Sequence, residues 1–546
     1  MVNVITRYEE LKNSPEAHSF ERVAELISEF TAPGRATFGD ARVNVDGVQG
    51  PAWDNRFRFD DTSSIANTTL AGHIHTNSLP QHVSVATMSV KGDLGDDPEV
   101  AAWAQEVTEI VWSRLNDSNY YVETQAQIED MVSFAVAPIW FLQEGKREDT
   151  QFLFRVPAPG EYYFELDQSG NVIEFYTLMK FKRASFDAYF KDKDLTDEAK
   201  EVLSGIELIS EDEEIQIVHG VYLNPDPAKV KGTVAGPLRK YVEEYRFLTH
   251  GRRKLVIPAD GYNEAPVYMG VYQRLAGSKY GVSPGVLSLN TVLTLNQAGA
   301  LMLEAAEKSI NPSILKARNE IYGDADLRAG GATTVKSKDS LTTLDLGNYA
   351  VSKDLYAFLI ERVEKIFHMD RLQIKESSRM TATEVNVSID LMNRILGPVS
   401  SSYDKTVTTG IFWRAYSIAA REGLLPEKPA QLDEANPEIE LRFNGTLALA
   451  KMQSDVRIVQ EFIGLMQVAA AFDTEIPMRI DTDFLIRYAQ QKLNAPSKLV
   501  KDKDIADEEI RQEKEAANQA AALTAQAGAI KDVGQGVKAL SDAQRG

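Results

Sequence analysis

The sequence predicts a mixed α+β protein, predominantly helical, with helical regions on either side of a block of antiparallel strands. Three observations carry this. Apolar residues recur at helical spacing before Pro138 and again after Tyr280. Between Ile139 and Val271 the period shortens to that of strands. A single helical pattern then runs from Val385 to Gly423, about forty residues where the average helix has about 11–12.

The elements follow in order. Over the first thirty residues Phe20, Val23, Ala24 and Ile27 form a one-faced apolar stripe, and Pro33-Gly34 ends it. Residues 31–55 are polar and Gly-rich, a surface segment. A second helix is expected over Ser63–Ser78, with His73 and His75 inside it. On a strand an H-x-H pair shares a face and can bind metal; on a helix the two point about 200° apart, so they are read as structural. Trp103, Val107, Ile110, Val111 and Leu115 mark a third helix. Ile128, Met131, Val132 and Ala135 mark a fourth, stopped at Pro138. Phe152 and Phe154 open the strand block. Tyr162–Leu166, the turn Asp167–Asn171 and Val172–Tyr176 read as strand–turn–strand, followed by strands at 215–223, 240–249, 254–258 and 267–271.

After Tyr280 a helix is expected from Gly285 to Ser309, ending at Asn311-Pro312. A Gly-rich stretch with short strand-like runs follows over 322–345. A second helix carries Leu355, Leu359, Val363 and Ile366, and a polar loop spans 370–380. Thr381-Ala-Thr-Glu384 fits a capping box, in which Thr381 accepts from the N3 amide and Glu384 reaches back to the N-cap amide. Gly397-Pro398 lies inside the long helix and is expected to kink it, because proline removes a backbone donor and crowds the preceding turn. A strand at 438–443 and helices at 447–471 and 482–493 come next. Residues 501–527 are expected to be helical in an assembly, and the last twenty disordered.

Composition excludes several classes. The 546 residues are 43% hydrophobic and 25% charged, near the soluble globular average and long enough for three or four units at ~150 residues each. Lys and Arg total 59 against 80 Asp and Glu, a net charge of −21. A protein gripping nucleic acid over its whole surface needs the opposite sign. Any contact with DNA must be local or weak. The absence of cysteine excludes disulfides, thiolate metal sites and cysteine nucleophiles, and fits a reducing compartment or a virion. No signal peptide is expected from the N-terminus. The longest apolar stretch, Met131–Leu142, is about half the ~20 residues of a membrane span, so it is expected to be core and no membrane partner is expected.

Catalytic motifs fail on inspection. Gly281-Val-Ser283-Pro-Gly285 matches the nucleophile-elbow pattern, but that chemistry needs the backbone N–H after Ser, and Pro284 has none. There is no P-loop, dinucleotide fingerprint, H-E-x-x-H or EF-hand pattern. No enzyme activity and no cofactor or metal is expected.

The succession of helix, Gly-rich excursion, returning helix, polar loop and long kinked helix resembles the portal proteins, or head-to-tail connectors, of podoviruses (short-tailed phages). Arg379-Met-Thr-Ala-Thr-Glu-Val385 and Leu396-Gly-Pro-Val399 carry the resemblance. Tyr280-Gly281, Asn311-Pro312 and Arg421-Glu-Gly-Leu-Leu-Pro426 support it. It is strongest over 260–426, continues weakly back to about residue 100, and is slight elsewhere.

The resemblance implies a portal fold assembled as a ring, generally a dodecamer, at one capsid vertex of the virion, made in the host cytoplasm. Its regions would be a wing (1–284), stem helices (285–311 and 351–369), a clip (312–350), a tunnel loop (370–381), the long kinked wing helix (382–426), a crown (427–496) and a tail (497–546). Implied partners are the terminase large subunit, head–tail adaptor and tail proteins, major capsid and scaffolding proteins, and double-stranded DNA passing without sequence specificity. Arg371, Lys375 and Arg379 would face the channel. Lys316, Arg318, Arg328, Lys336 and Lys338 would dock terminase or adaptor. Against the acidic average, segment 316–338 holds five bases and three acids, and segment 370–381 three bases and two. Two other readings stay open: another structural virion protein, coat or tail, and a DNA-processing enzyme.

Overall fold

The computed structural model describes residues 3–35, 58–80, 84–145, 149–181, 186, 215–224, 240–248, 261–310, 314–316, 336–337, 341–343, 349–372, 382–435, 438–443, 461–465, 508, 511–512 and 514–515. Contacts divide the chain into two units, 1–85 with 110–425 and 86–109 with 426–546.

The N-terminal helical region is two helices, α1 (Val4–Lys12) and α2 (Pro15–Phe30). The break has a local cause that the stripe concealed. Ser14 is extended and its Oγ accepts from Ala17 N at 3.2 Å, with Pro15 in the first helical position. Helix α3 (Thr62–Ser78) contains both histidines, as the spacing predicts. Strand β1 is Ala86–Val90, and helices α4 (Pro98–Asn116) and α5 (Tyr120–Phe134) follow.

Helix α5 does not run on to Pro138. It ends at Phe134, Ala135 turns left-handed (φ 71°), and strand β2 (Val136–Glu144) begins at once. The apolar stretch Met131–Leu142 is therefore the last turn of a helix followed by most of a strand, buried up to Phe141. Pro138 is tolerated inside β2 for a geometric reason. Phe141 N donates to Pro266 O and Tyr272 N to Ala135 O, so odd-numbered residues face the neighbouring strand. The nitrogen of Pro138 faces the other way, where pairing begins only at Trp140.

The remaining strands of the block are β3 (Gln151–Arg155), β4 (Tyr162–Leu166), β5 (Val172–Phe181), β6 (Ile215–Leu223), β7 (Tyr241–Phe247), β8 (Gly261–Tyr262), β9 (Val267–Val271), β10 (Gln273–Leu275) and β11 (Ser278–Val282). They form an antiparallel three-stranded sheet, β3-β2-β9, an antiparallel five-stranded sheet, β4-β5-β6-β7-β8, and the hairpin β10-β11. The strand expected at 254–258 lies outside the described residues.

Alternation along the five-stranded sheet assigns its two faces. Tyr163, Tyr176, Val218, Tyr222 and Val242 cluster with Val4, Tyr8, Leu11 and Ala17 of α1 and α2. Tyr162, Phe164, Phe175, Val221 and Tyr241 cluster with Val136, Trp140, Val267 and Met269 of the smaller sheet. The period of two thus buries both faces. Arg7 Nε donates to Glu174 Oε2 at 2.8 Å and Tyr163 OH to Glu21 Oε1 at 2.6 Å, tying both helices to the sheet.

Beyond the sheets come α6 (Pro284–Ile310), β12 (Ile314–Lys316), β13 (Leu341–Thr343), α7 (Tyr349–Ile366) and the short helix α8 (Met369–Leu372). The expected polar loop at 370–380 therefore starts as helix: His368 turns left-handed (φ 58°) and Met369 and Leu372 are buried. The long helix follows as α9 (Ala382–Tyr403), a π-helical turn (Asp404–Thr408) and α10 (Thr409–Arg421).

The kink expected at Gly397-Pro398 is not a break in the helix. The α-helical run passes through Pro398 to Tyr403, and the departure from α geometry is at 404–408. Pro398 removes the backbone donor to the Arg394 carbonyl, and both residues lie on the exposed side of the helix, where such a loss costs least.

In the second unit β1 pairs antiparallel with β14 (Ile439–Phe443), next to α11 (Ala430–Ala435). Met88 N donates to Thr108 Oγ1 at 3.0 Å, holding the ribbon to the first half of α4. The helices expected at 447–471 and 482–493 and the tail lie outside the described residues, apart from 461–465 and the few positions near 508–515.

Candidate functional site

Three groupings have the residue types of acid–base or nucleophilic chemistry, and each is part of the framework. His219 is sandwiched between Trp140 and Tyr245, with centroids at 4.9 and 4.2 Å. Its Nε2 lies 2.9 Å from Glu243 Oε1, which also accepts from Tyr245 and Tyr262 at 2.8 Å. Both imidazole faces are thus covered, and one carboxylate oxygen serves all three partners. Ser283, the serine of the G-x-S-x-G pattern, is fully buried. It donates to Ser133 O at 3.0 Å and accepts from Val286 N at 3.3 Å. That makes it the N-terminal cap of α6. His75 is buried against Thr124 Oγ1 (3.1 Å) and Tyr121, and burial lowers its pKa to about 4. Among the described residues no three His, Cys, Asp or Glu side chains are grouped to hold a metal.

The distinctive arrangement is the helix pair α6–α7. The two helices pack together, and the antiparallel pairing of Ile314–Lys316 with Leu341–Thr343 closes the excursion between them. A strap at residues 58–61 crosses the pair. Phe59 N donates to Asn296 Oδ1 (2.7 Å) on α6, and Tyr356 OH on α7 donates to Asp60 Oδ2 (2.7 Å). Gly299 makes room, since a Cβ there would sit 3.3 Å from Phe59 Cβ.

Helix α6 also revises the hydropathy reading. Its segment Pro284–Glu307, with mean hydropathy 1.3, is long and apolar enough to cross a membrane by length and composition, yet only 28% of it is buried. Leu301 and Leu303 on α6 and Leu355 and Phe358 on α7 are each more than half exposed. So much apolar surface on two adjacent helices marks contact surface for other chains, and on more than one side of α6, since Leu301 and Leu303 are two residues apart on a helix. These residues escaped the sequence reading because one-faced stripes were sought. The signal was the reverse: 284–303 contains no charged residue on any face.

The predicted site residues fall unevenly. Arg371 is in α8, exposed, with Nε 3.8 Å from Asp370 Oδ2. Lys316 is the last residue of β12, opposite Leu341, and Lys336 is exposed. Lys375, Arg379, Arg318, Arg328, Lys338 and Thr381 lie outside the described residues. Glu384 lies within α9, as do Gly397 and Pro398. Three of the eight candidate bases, Arg371, Lys316 and Lys336, thus fall on described positions.

Residues 3–500 match the family described as bacteriophage head to tail connecting protein. The chain belongs to this family. The portal protein of Salmonella phage epsilon15 is 22% identical over 557 aligned positions, covering 98% of this chain and 94% of the relative. Membership of the connector family extends well past 260–426, where the resemblance is strongest in sequence. It takes in the N-terminal helices, the strand block, the helix pair and the long helix.

Proposed function

We propose that this connector-family chain is a phage portal protein: copies close into a ring at one capsid vertex, forming the channel for DNA packaging and ejection and the platform for terminase and tail adaptor. The observation that carries the reading is the family match over residues 3–500. The exposed apolar residues of α6 and α7 support it, because a closed ring gives each such face a neighbouring copy to cover it. The family's usual number, twelve, is the expected stoichiometry.

In this reading 285–311 and 351–369 are stem helices, 312–350 the clip, 370–381 the tunnel loop, 382–426 the wing helix and 427–496 the crown. The ring is a structural component of the virion and performs no catalysis. A net charge of −21 per copy repels DNA phosphates, which favours sliding over gripping. Local bases would then act as bands of positive potential once repeated around the ring. Arg371, Lys375 and Arg379 face translocating DNA, and the bases of 316–338 meet terminase or adaptor.

End-on imaging of the purified protein tests the assembly: closed rings of about twelve copies with a central hole are expected. Tubes or open sheets would move the reading to a coat or tail protein. The tunnel-loop roles are tested by Lys375→Ala with Arg379→Ala, which should leave rings intact but alter packaged DNA length or retention. Unchanged length and retention would remove these residues from the channel. Charge reversal at Arg318 and Arg328 should weaken adaptor or terminase binding in a salt-dependent way; binding that is unaltered at every ionic strength excludes their docking role.

A further inference from the structure

The π turn at Asp404–Thr408 sits in the middle of the longest helical run among the described residues and gathers poorly satisfied polar groups. Tyr120 OH from α5, Asp404 Oδ1 and Thr408 Oγ1 are all buried, and none of them makes a hydrogen bond of normal geometry. They converge: the Thr408 hydroxyl is in loose side-chain hydrogen-bonding contact with both Tyr120 and Asp404. Buried polar atoms are nearly always well satisfied, so a carboxyl held only loosely by two hydroxyls makes a site that is sensitive to whether it carries a proton.

The surroundings leave that carboxyl without a counter-charge. Tyr120 faces it from α5, and Tyr403 precedes it on the helix with its OH committed to Gln127 Oε1 at 2.9 Å. Tyr268 of β9 covers the turn near Gly410 and is buried. Lys405 is exposed. Arg414 is committed to Phe141 O and Glu264. No Lys or Arg is paired with Asp404 among the described residues. The turn itself is already widened: Thr409 Oγ1 donates to Asp404 O at 2.8 Å, five residues back. A helix with a π turn has one more residue than its neighbours require, and such a turn can slide or reclose without unfolding the rest.

We propose that Asp404 is a proton-operated latch on the long helix. With its proton, the carboxyl donates within the Tyr120–Thr408 slot and holds the turn closed. Without it, the carboxylate draws water into the slot and loosens the helix at 404–409. Burial raises the Asp404 pKa to about 7, against the hydrogen bond from Thr408, so the change falls in a range that cells and phage particles meet. This rests on the turn's own geometry and holds whether or not the chain forms a portal ring.

Amide hydrogen exchange of the full-length protein from pH 5 to 8.5, corrected for intrinsic rates, reads the latch. Amides of 404–412 should lose protection as pH rises toward 7, by up to about tenfold per pH unit, the limit for one linked proton, and then level off. Asp404→Asn should abolish that pH-dependent component while leaving the fold at pH 5 unchanged. Thr408→Val, which removes the hydroxyl that favours the ionised form, should move the midpoint to higher pH and serves if the Asn variant does not fold. A wild-type segment whose corrected protection is flat across this range, an Asn variant with the wild-type profile, or an unmoved midpoint in the Val variant would each overturn the latch.

Discussion

Arg35 and Asp130 join the end of α2 to α5 through one guanidinium nitrogen, Nε, which donates to both carboxylate oxygens at 2.7 and 2.9 Å. Nη2 of Arg35 goes on to Val156 O at 3.2 Å, so the same side chain also holds the chain after β3. Burial raises the Asp130 pKa to about 6 in spite of Arg35. The native state therefore keeps a proton that the unfolded chain has released, so stability falls as pH rises from about 4 to about 6 and is flat above. Asp130→Asn should remove that slope. Arg35→Ala should be worse than Asp130→Asn at neutral pH, costing about 3 kcal/mol in denaturant unfolding, because it strands a buried carboxylate. The lower end of the usual range applies, since Arg35 is itself a third exposed. The double variant should recover part of that loss. Single and double variants with equal stability at pH 7 would show that the pair carries nothing. No sequence pattern announces this pair: the partners are 95 residues apart, and among so many acids nothing distinguishes Asp130.

Elements were legible wherever burial was one-sided or alternating, and less so where two local signals competed. The β6 and β9 boundaries match the alternation because each strand has its core faces set by its own residues. The end of α5 was displaced because Pro138 looks like a helix stop, although the strand face it occupies needs no donor. The long helix held a readable sign of its π turn. Val399, Tyr403, Val407, Ile411 and Ala415 are successive fours, and on an α-helix each step of four drifts the stripe by about 40°. All five are buried, and one residue inserted in the run, which is what a π turn supplies, takes back much of that drift. Gly410 tests that packing. A Cβ there would lie 2.1 Å from Tyr268 Cε1, so Gly410→Ala must displace the ring or the helix and should cost about 1–3 kcal/mol. Gly72 in α3 is the control: a Cβ meets nothing within 4 Å, and Gly72→Ala should stabilise by about 0.5–1 kcal/mol. Equal effects in thermal unfolding would mean that the close contact of α10 with β9 is not tight.

At the scale of the whole molecule, the question is what the apolar residues of α6 and α7 do when a single chain leaves them in water. Leu301 and Leu303 are 57% and 60% exposed, and Leu355 and Phe358 are 52% and 56% exposed. Full burial of one such side chain is worth about 1.5–3 kcal/mol. Four of them on every copy therefore favour association strongly, and a closed ring satisfies every copy equally. The same exposure makes the test clean. Leu301→Glu with Phe358→Glu changes side chains that contribute little to the fold of one chain, so its thermal midpoint should move little. Repeated around a ring, the introduced carboxylates would be buried beside a neighbour without a counter-charge, a cost that oligomerisation cannot offset. The expected result is a folded, soluble chain that sediments as monomer or small oligomer where the unsubstituted protein forms rings. Rings of undiminished yield would mean that these faces look outward in the assembly, and that the contacts closing the ring lie on other elements.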